Sequence, residues 1–527
     1  MSRPALRAPA AQYGLLVQPS LAEFPLLLES NTQLWSQAKA RFGQLTLADL
    51  RQVGQQEIHQ EAQQYLARLG LPPVDTTSGL PGFIVSGHQP ELFHPGVWIK
   101  NFASYSLARR QQRFSLNLVV DSDLVKANTL LVPITTGERQ QAAFDTGPLQ
   151  VPYEERTVTD EKVFRQFPER VQEILGPVPW EPWLAKFWTK VWQADRCTPL
   201  LGERFTIGRH LWERAQGCHN LEVPISRMCS TTTFAHFALE LLTNLPRFHQ
   251  VHNDSLHEFR SKYRIRSRHH PFPALSEISG WQELPFWAWR TDNPRRARLF
   301  ASATTHGWML GVLDKEMKPL SVSIPKEGSG RIAAWQALLD RGWKVRSRAL
   351  TTTLFARLIL ADCFIHGIGG GIYDELTDLI IERYYGMKPP GFLVISGTLR
   401  LPWPNQDDLP TTMRELRQQR RALEQHPEEF LSPTEPAQAE MLRQLQLLLD
   451  GKPQTRKERH HRFLALKLLK AHLSERLVEA RQRLEAEIAR VGNEEENRRW
   501  KYSREYAYCL HPETELQRFF APFLVPS

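Results

Sequence analysis

The sequence predicts an α/β protein: an open sheet interrupted by helical insertions, with a C-terminal antiparallel helical arm. Three observations carry this expectation. Short apolar runs, Phe83-Ile84-Val85, Leu118-Val119-Val120 and Phe392 to Ile395, each end in a polar or glycine-bearing loop. Runs of that length read as buried strands, and a strand, polar loop and helix in that order set the loop at the carboxyl edge of a sheet, where ligands of open sheets bind; the arrangement is Rossmann-like. The 527 residues are 41% hydrophobic and include 15 Trp and 26 Phe, enough to bury the cores of roughly two or three domains. Over 406–498 the composition shifts to Leu, Gln, Arg and Glu at helical spacing, broken at Pro436 and at Gly451-Lys452-Pro453, as two long helices of an antiparallel coiled-coil arm require. The expected divisions are a helical lead-in over 1–75, the α/β core with inserted segments over 76–405, the arm over 406–498, and a tail over 499–527 that returns to the core.

Against 66 Lys plus Arg stand 57 Asp plus Glu, a formal charge of +9. That balance suits an anionic ligand such as a nucleotide, and is no nucleic-acid footprint unless the charge is concentrated. Cys197, Cys218, Cys229, Cys363 and Cys509 form no CxxC pair and no zinc spacing, so they read as separate thiols in a reducing compartment. The first residues lack a continuous apolar signal segment and no stretch approaches a membrane span, which makes the cytoplasm the expected location.

In the lead-in, QEIHQEAQQYLARLG reads as a helix stopped by Gly70; it carries no evident chemistry. The stretch from Pro81 is the richest. After the Phe83 to Val85 strand come Ser86-Gly87-His88-Gln89-Pro90, then His94-Pro95-Gly96, then a helix from near Val97 to Ala108. Gly87 and Gly96 permit close backbone approach, His88 and His94 are candidates to stabilise phosphate charge, and Gln89 to orient a ligand. An ordinary turn with surface histidines is the alternative. Asp121 and Asp123 follow the next strand and could bind Mg²⁺, an amine or a hydroxyl, or simply cap the turn.

PWEPWLAKFWTKVW predicts a helix whose aromatic face is core. Ser226, Arg227, Ser230 and Thr231 precede an apolar helix whose amino end could hold an anion, and Cys218-His219 with Cys229 lack a fourth ligand for zinc. The segment from His252 to His270 is the densest in basic and hydrogen-bonding residues, and Trp281, Glu283, Trp287 and Arg290 resemble a strand-borne wall. Lys326 to Gly330 could cradle a phosphate or form a surface turn; the order is not that of a Walker A loop. LFARLILADCFI reads as a helix ending at His366, followed by the loop Gly367-Ile368-Gly369-Gly370-Gly371 and a helix from near Ile372. So many glycines are costly in backbone entropy, so Gly367, Gly369 and Gly370 are candidate backbone ligands, with His366 and Asp374 supplying side chains. Arg504, Tyr508 and His511 in the tail would touch the core or a ligand.

The turn Ser86-Gly87-His88-Gln89-Pro90-Glu91-Leu92-Phe93-His94-Pro95-Gly96 resembles the T-G-Q-Q-x-G-L-x-x-G-P turn of the bacillithiol-synthesis family that joins cysteine to glucosaminyl-malate: Gly87, Gln89 and Leu92 match, and His88 replaces the first Gln. Arg504-Glu505 through Leu510-His511-Pro512 resembles that family's terminal pattern. The resemblance implies a nucleotidyltransferase-like Rossmann core and a long C-terminal antiparallel coiled coil that mediates dimerisation. His88-Gln89-Pro90 is also similar to the H-Q-P-x-Y-x-P turn of a small family associated with surface-polysaccharide gene clusters. In class I nucleotidyltransferases, histidines in such a turn bind ATP phosphates; the HxGH and KMSKS sequences of those enzymes are absent here.

The expected function is therefore a cytoplasmic ligase or transferase that uses ATP or another nucleotide, with or without Mg²⁺, on a small polar metabolite, joining an amino acid or thiol-bearing group. The expected catalytic residues are His88, His94, His366 and Asp374, with Gly87, Gln89, Gly96, Asp121, Asp123, Gly367, Gly369 and Gly370 binding the nucleotide and no dedicated metal site. A homodimer through the C-terminal helices is expected, and no membrane partner. Two alternatives stand beside this reading: a nucleic-acid-binding protein that grips a backbone with the 260–270 run and the arm, and a non-catalytic coiled-coil scaffold.

Overall fold

Strands that are apolar on both faces must be covered on both faces, usually by the helices that connect them. The computed structural model describes residues 6–74, 82–135, 137–267, 271–313, 316–328, 330–404, 416, 419–423, 436–451, 453–475 and 477–524. Its principal elements are, in chain order, β1 (Leu15–Gln18), α1 (Phe24–Gln37), α2 (Leu47–Arg68), β2 (Phe83–His88), α3 (Pro95–Arg110), β3 (Phe114–Val119), α4 (Leu184–Gln193), α5 (Leu201–Ala215), β4 (Leu221–Pro224), α6 (Thr232–Thr243) and α7 (Leu245–Lys262). They continue with β5 (Trp281–Arg290), β6 (Asn293–Ala303), β7 (Gly307–Leu313), β8 (Met317–Pro325), β9 (Trp343–Ser347), α8 (Ala349–Phe355), β10 (Ala361–His366), α9 (Ile368–Tyr385), β11 (Phe392–Gly397), α10 (Pro436–Asp450), α11 (Arg456–Glu475) and α12 (Val478–Lys501).

The chain is an α/β protein with two large sheets. The first has the order β1-β11-β10-β2-β3-β4, parallel except for β1, which lies antiparallel on β11. Phe83, Val85, Leu116 and Leu118 point into one core while Ile84, Ile365, Leu393 and Ile395 point into the other, so both faces are dry. The strand order reverses direction between β2 and β10, and the loops leaving those two strands open a crevice between them. The second sheet, β8-β7-β6-β5-β9, is antiparallel throughout.

Three elements differ from expectation. The run read as one helix ending at His366 is a short helix, a widened turn over 356–360 and the strand β10. A continuously apolar stretch fits a buried helix and a buried parallel strand equally well by periodicity; here Arg51 and Gln55 of α2 decide, donating to the carbonyls of Leu358 and Leu360 at 2.8 and 2.9 Å and satisfying the turn before the strand. The lead-in is also not wholly helical, since β1 forms the sheet edge, and the glycine run expected as a loop before a helix from near Ile372 is itself the first turn of α9, where the Gly371 amide donates to the Gly367 carbonyl at 2.9 Å.

The aromatic helix α4 is core. Trp183 and Trp188 are buried, and Trp183, Trp98 and Tyr508 gather within 6.2 Å of one another. The tail thus returns to the body: the Leu510 and His511 carbonyls accept from Trp180 Nε1 and the Trp183 amide at 3.2 and 2.9 Å. The His511 ring is fully buried, and burial pushes it down from 6.5 to about 3. Its folded value lies below its unfolded one, so the stability it confers is present above pH 6.5 and is lost as the pH falls. In urea unfolding, the advantage of wild type over His511→Asn is expected to shrink by about 1.4 kcal/mol per pH unit between pH 6.5 and 4; a pH-independent difference contradicts this.

In the expected arm, α10 meets α11, and Arg462 donates to the Leu448 and Leu449 carbonyls at the end of α10 at 2.6 and 2.7 Å. Most of MRELRQQRRALEQ lies outside the described residues. Among the described residues no helix is long and apolar enough to cross a membrane.

Candidate active site

A cavity of about 620 Å³ opens at the carboxyl edge of the first sheet, in the crevice between β2 and β10, and the second sheet walls it on the far side. Gly87 and His88 line it from the end of β2, Gln89 and His94 from the loop that follows, and Gly96 from the first turn of α3. His366 lines it from the end of β10, Gly367 from the junction that follows, Gly369 and Gly370 from the first turn of α9, and Asp123 from the loop after β3. Segments more than 270 residues apart in sequence therefore share one chamber.

His88 is the last residue of β2, so its backbone belongs to the sheet while its ring turns into the cavity against Phe93, 4.8 Å between centroids. Its Nδ1 lies 3.2 Å from the Gln89 carbonyl. Burial, reinforced by Lys100, pushes it down to about 3. His94 precedes the first turn of α3, with Nε2 3.3 Å from Glu505; burial outweighs that carboxylate and pushes it down to about 4. Both imidazoles are neutral at pH 7, and with the single N–H of each facing the Gln89 carbonyl or the Glu505 carboxylate they keep a lone pair on the other ring nitrogen rather than a fixed charge. Gly96 is required by packing: a Cβ there would stand 2.2 Å from the Gly397 carbonyl oxygen of β11.

His366 ends β10, and its Nε2 donates to Asp374 Oδ2 at 2.8 Å. That bond places the proton on Nε2 and leaves Nδ1 as a lone pair. Nδ1 sits beside the backbone of α9, where a Cβ on Gly370 would meet it at 2.8 Å, so that glycine makes room for the ring. Gly367 and Gly369 have open space where a Cβ would be. Asp374, expected in the wall, stands behind it: it is buried on α9, one turn in, and its second partner is Arg357 Nη1 at 2.6 Å. Burial would raise its pKa, but Arg357 and His366 outweigh burial and hold it down to about 2.

Asp121 and Asp123 part company. Asp123 lines the cavity, accepting from Gln89 Nε2 at 3.0 Å and pairing with Arg296 at 3.3 Å. Asp121 is outside the lining: its carboxylate accepts from the Ser226 amide at 2.9 Å and from the Ser226 hydroxyl, at the start of the short helix Ile225–Met228. It is a cap, pushed up to about 7 by burial and by Glu154. The pair therefore does not form a two-carboxylate Mg²⁺ site.

Lys100 escaped the sequence reading. It is buried, lines the cavity and donates to the Gly87 carbonyl at 2.8 Å; burial pushes it down to about 8. A single Lys inside an otherwise apolar and amide-bearing helix was the available signal. Trp287, read as part of a strand wall, lines the cavity from β5, joined by Arg296 of β6, Arg348 before α8, and Arg504 of the tail, whose Nη1 donates to the Gly397 carbonyl at 2.9 Å.

Three helices, α3, α8 and α9, begin at the cavity, preceded by His94, Arg348 and Gly367, and none has a side-chain cap. By contrast, the anion expected at the amino end of α6 is the protein's own: Glu57 accepts from the Thr232 and Thr233 amides at 2.7 and 2.9 Å. Gly328 and Gly330 are not part of the cavity lining and lie at the turn between β8 and the helix that follows it. His269 and His270 lie outside the described residues.

Among the described residues one grouping has donors that could hold a metal ion: His210, Glu213 and Glu222, fully buried, with ligand atoms within 4.8 Å of one another. It lies under α3 rather than in the cavity lining. Arg209 already bridges it, 2.7 Å from each carboxylate, and Trp98 and Asn101 also donate to Glu213. No family model matches the chain, and no curated protein matches it in sequence.

Proposed function

We propose that the cavity is the active site of a nucleotide-dependent ligase or transferase acting on a small polar metabolite, with a Rossmann-like core of the kind the bacillithiol-synthesis resemblance implies. The observation that carries this reading is the convergence of three helix amino ends without side-chain caps, His88, His94 and Lys100 on one chamber where the strand order reverses. Helix amino ends offer backbone N–H groups and positive dipole ends, the environment that holds phosphates.

In this reading, the one N–H of neutral His88 is met by the Gln89 carbonyl and that of His94 by Glu505, so an arriving phosphate draws a proton onto each ring and the imidazolium charge meets the phosphoryl oxygens, while Gln89 orients the ligand and Lys100 balances charge as it develops. His366 Nδ1, fixed by Asp374, takes the proton from the acceptor's nucleophile. Any Mg²⁺ would arrive with the nucleotide. The helices α10 to α12, with Leu447, Phe463 and Leu468 exposed, would form the coiled-coil arm through which two copies associate.

The test is isothermal titration with ATP and Mg²⁺ on wild type, His88→Ala and His366→Ala. Saturable binding that weakens roughly tenfold or more in His88→Ala is expected, since a hydrogen bond to a charged group contributes about 1.5–3 kcal/mol, and binding largely kept in His366→Ala, whose ring meets the acceptor. Repeating the titration in buffers of different ionisation enthalpy should show proton uptake below pH 6.5, because an arriving phosphate favours protonated His88 and His94. No heat with any nucleotide, or an affinity unchanged in His88→Ala, overturns the nucleotide reading.

A further inference from the structure

The wall of the cavity formed by the second sheet carries more positive charge than its own acids balance. Arg296 and Arg348 both stack on Trp287, their guanidinium carbons 4.8 and 4.2 Å from the ring centroid. Trp287 lies where the β5–β6 register shifts, a local irregularity of the kind that re-aims side chains at sites. Arg296 shares Asp123 with Lys126, at 3.3 and 3.7 Å. Arg348 shares Glu283 with Arg298, at 2.7 and 3.2 Å. Four cations thus divide two carboxylates. The Nε of Arg296 and the Nε of Arg348 are both buried and have no acceptor among the described residues.

Both guanidiniums are largely withdrawn from water, at 15% and 13% side-chain exposure. Buried charge in excess of its partners is costly, and each guanidinium held on the ring is a planar fork of donors suited to an oxyanion. Trp287 fixes both by cation–π contact, so little side-chain entropy is lost when an anion docks.

We propose that the Arg296–Trp287–Arg348 wall is an oxyanion subsite, taking a carboxylate or phosphoryl group of the metabolite rather than the phosphates of the nucleotide. This deepens the function proposed above and rests on it only for the identity of the second reactant. The metabolite would then be an anion, bound across the chamber from the His88 and His366 loops, with the anionic group read by the arginines and its nucleophile presented to His366.

The experiment is titration of the full chain with inorganic phosphate and with succinate at constant ionic strength, in wild type, Arg296→Gln, Arg348→Gln and Trp287→Phe. The expected result is saturable binding of at least one probe, weakened tenfold or more in both arginine variants and less in Trp287→Phe, which keeps an aromatic face. Which probe binds tells phosphoryl from carboxylate. Unchanged binding in Arg296→Gln and Arg348→Gln, or saturation by neither probe in wild type, overturns the proposal. Arg296→Gln guards against a folding artefact, because Glu283 keeps both of its arginines there; its thermal midpoint should stay near that of wild type. ATP titrated in parallel separates the two readings: oxyanion binding lost in Arg296→Gln with ATP binding intact supports both, and oxyanion binding with no nucleotide binding sinks only the nucleotide.

Discussion

Arg357→Met should lower folding stability by about 3–5 kcal/mol, the penalty for removing one partner of a buried ion pair and stranding the other. Arg357 is 1% exposed; Nη1 reaches Asp374 at 2.6 Å, Nη2 reaches Asp378 at 2.7 Å, and Nη2 also donates to the Pro390 carbonyl. Its guanidinium lies 4.7 Å from the Phe392 ring centroid, so it ties α9 to the start of β11 across the first sheet. Methionine fills much of the same volume and supplies none of the charge. Asp374, held down to about 2 while Arg357 is present, must then either keep an uncompensated charge in a dry site or take up a proton. Urea unfolding followed by circular dichroism at pH 7 measures the loss. Arg290→Met is the matched control: that arginine pairs with Asp292 at 43% exposure, and an exposed pair is worth under about 1 kcal/mol. Equal losses in the two variants would sink the argument that Arg357 braces the site.

How far the site could be read from sequence follows from which physical signals are local. The strand, turn and helix at 83–110 announce themselves through an apolar run, two Pro-bearing turns and an amide-rich helix, and His88, Gln89 and His94 all face the cavity. Trp287 was legible because alternation marks a strand. Long-range signals were not. β10 is apolar on both faces, so nothing in LFARLILADCFI distinguishes it from a helix; the choice is made by Arg51 and Gln55, some 300 residues earlier in the chain. Asp121 and Asp123 look alike in sequence, and only the placement of Ser226 makes the first a cap. Arg296 sits in an Arg-rich strand where period alone does not say which guanidinium meets Trp287. The glycine run reads as a loop in sequence, but all of it after Gly367 is the opening turn of α9, and its glycines have different reasons: Gly370 yields space to His366, whereas Gly367 and Gly369 have no neighbour to avoid.

Asp374→Asn separates positioning from charge, and its effect on turnover is expected to be the largest of any single substitution at the site that preserves side-chain shape. One carboxylate oxygen, Oδ2, accepts both from His366 Nε2 and from Arg357 Nη1. An asparagine with its carbonyl at that place keeps both hydrogen bonds and the tautomer that leaves His366 Nδ1 free, and loses only the negative charge. His366 is already held below its ordinary range, burial dominating while Asp374 pulls the other way. Removing that charge lowers its pKa further and, in the proposed reaction, would destabilise the imidazolium formed if His366 accepts the proton. For a general base, kcat should fall by about 10²–10⁴ with little change in KM. The acid limb of the pH profile should move to lower pH even as the plateau drops, because the neutral form of the base persists further into acid. Asp374→Ala, which also frees the ring, should lose more than Asp374→Asn; release of phosphate or pyrophosphate from the nucleotide in the presence of its acceptor is the readout. If Asp374 served packing alone, Asp374→Asn would leave kcat and the acid limb in place, and His366 would have to be withdrawn as the proton acceptor.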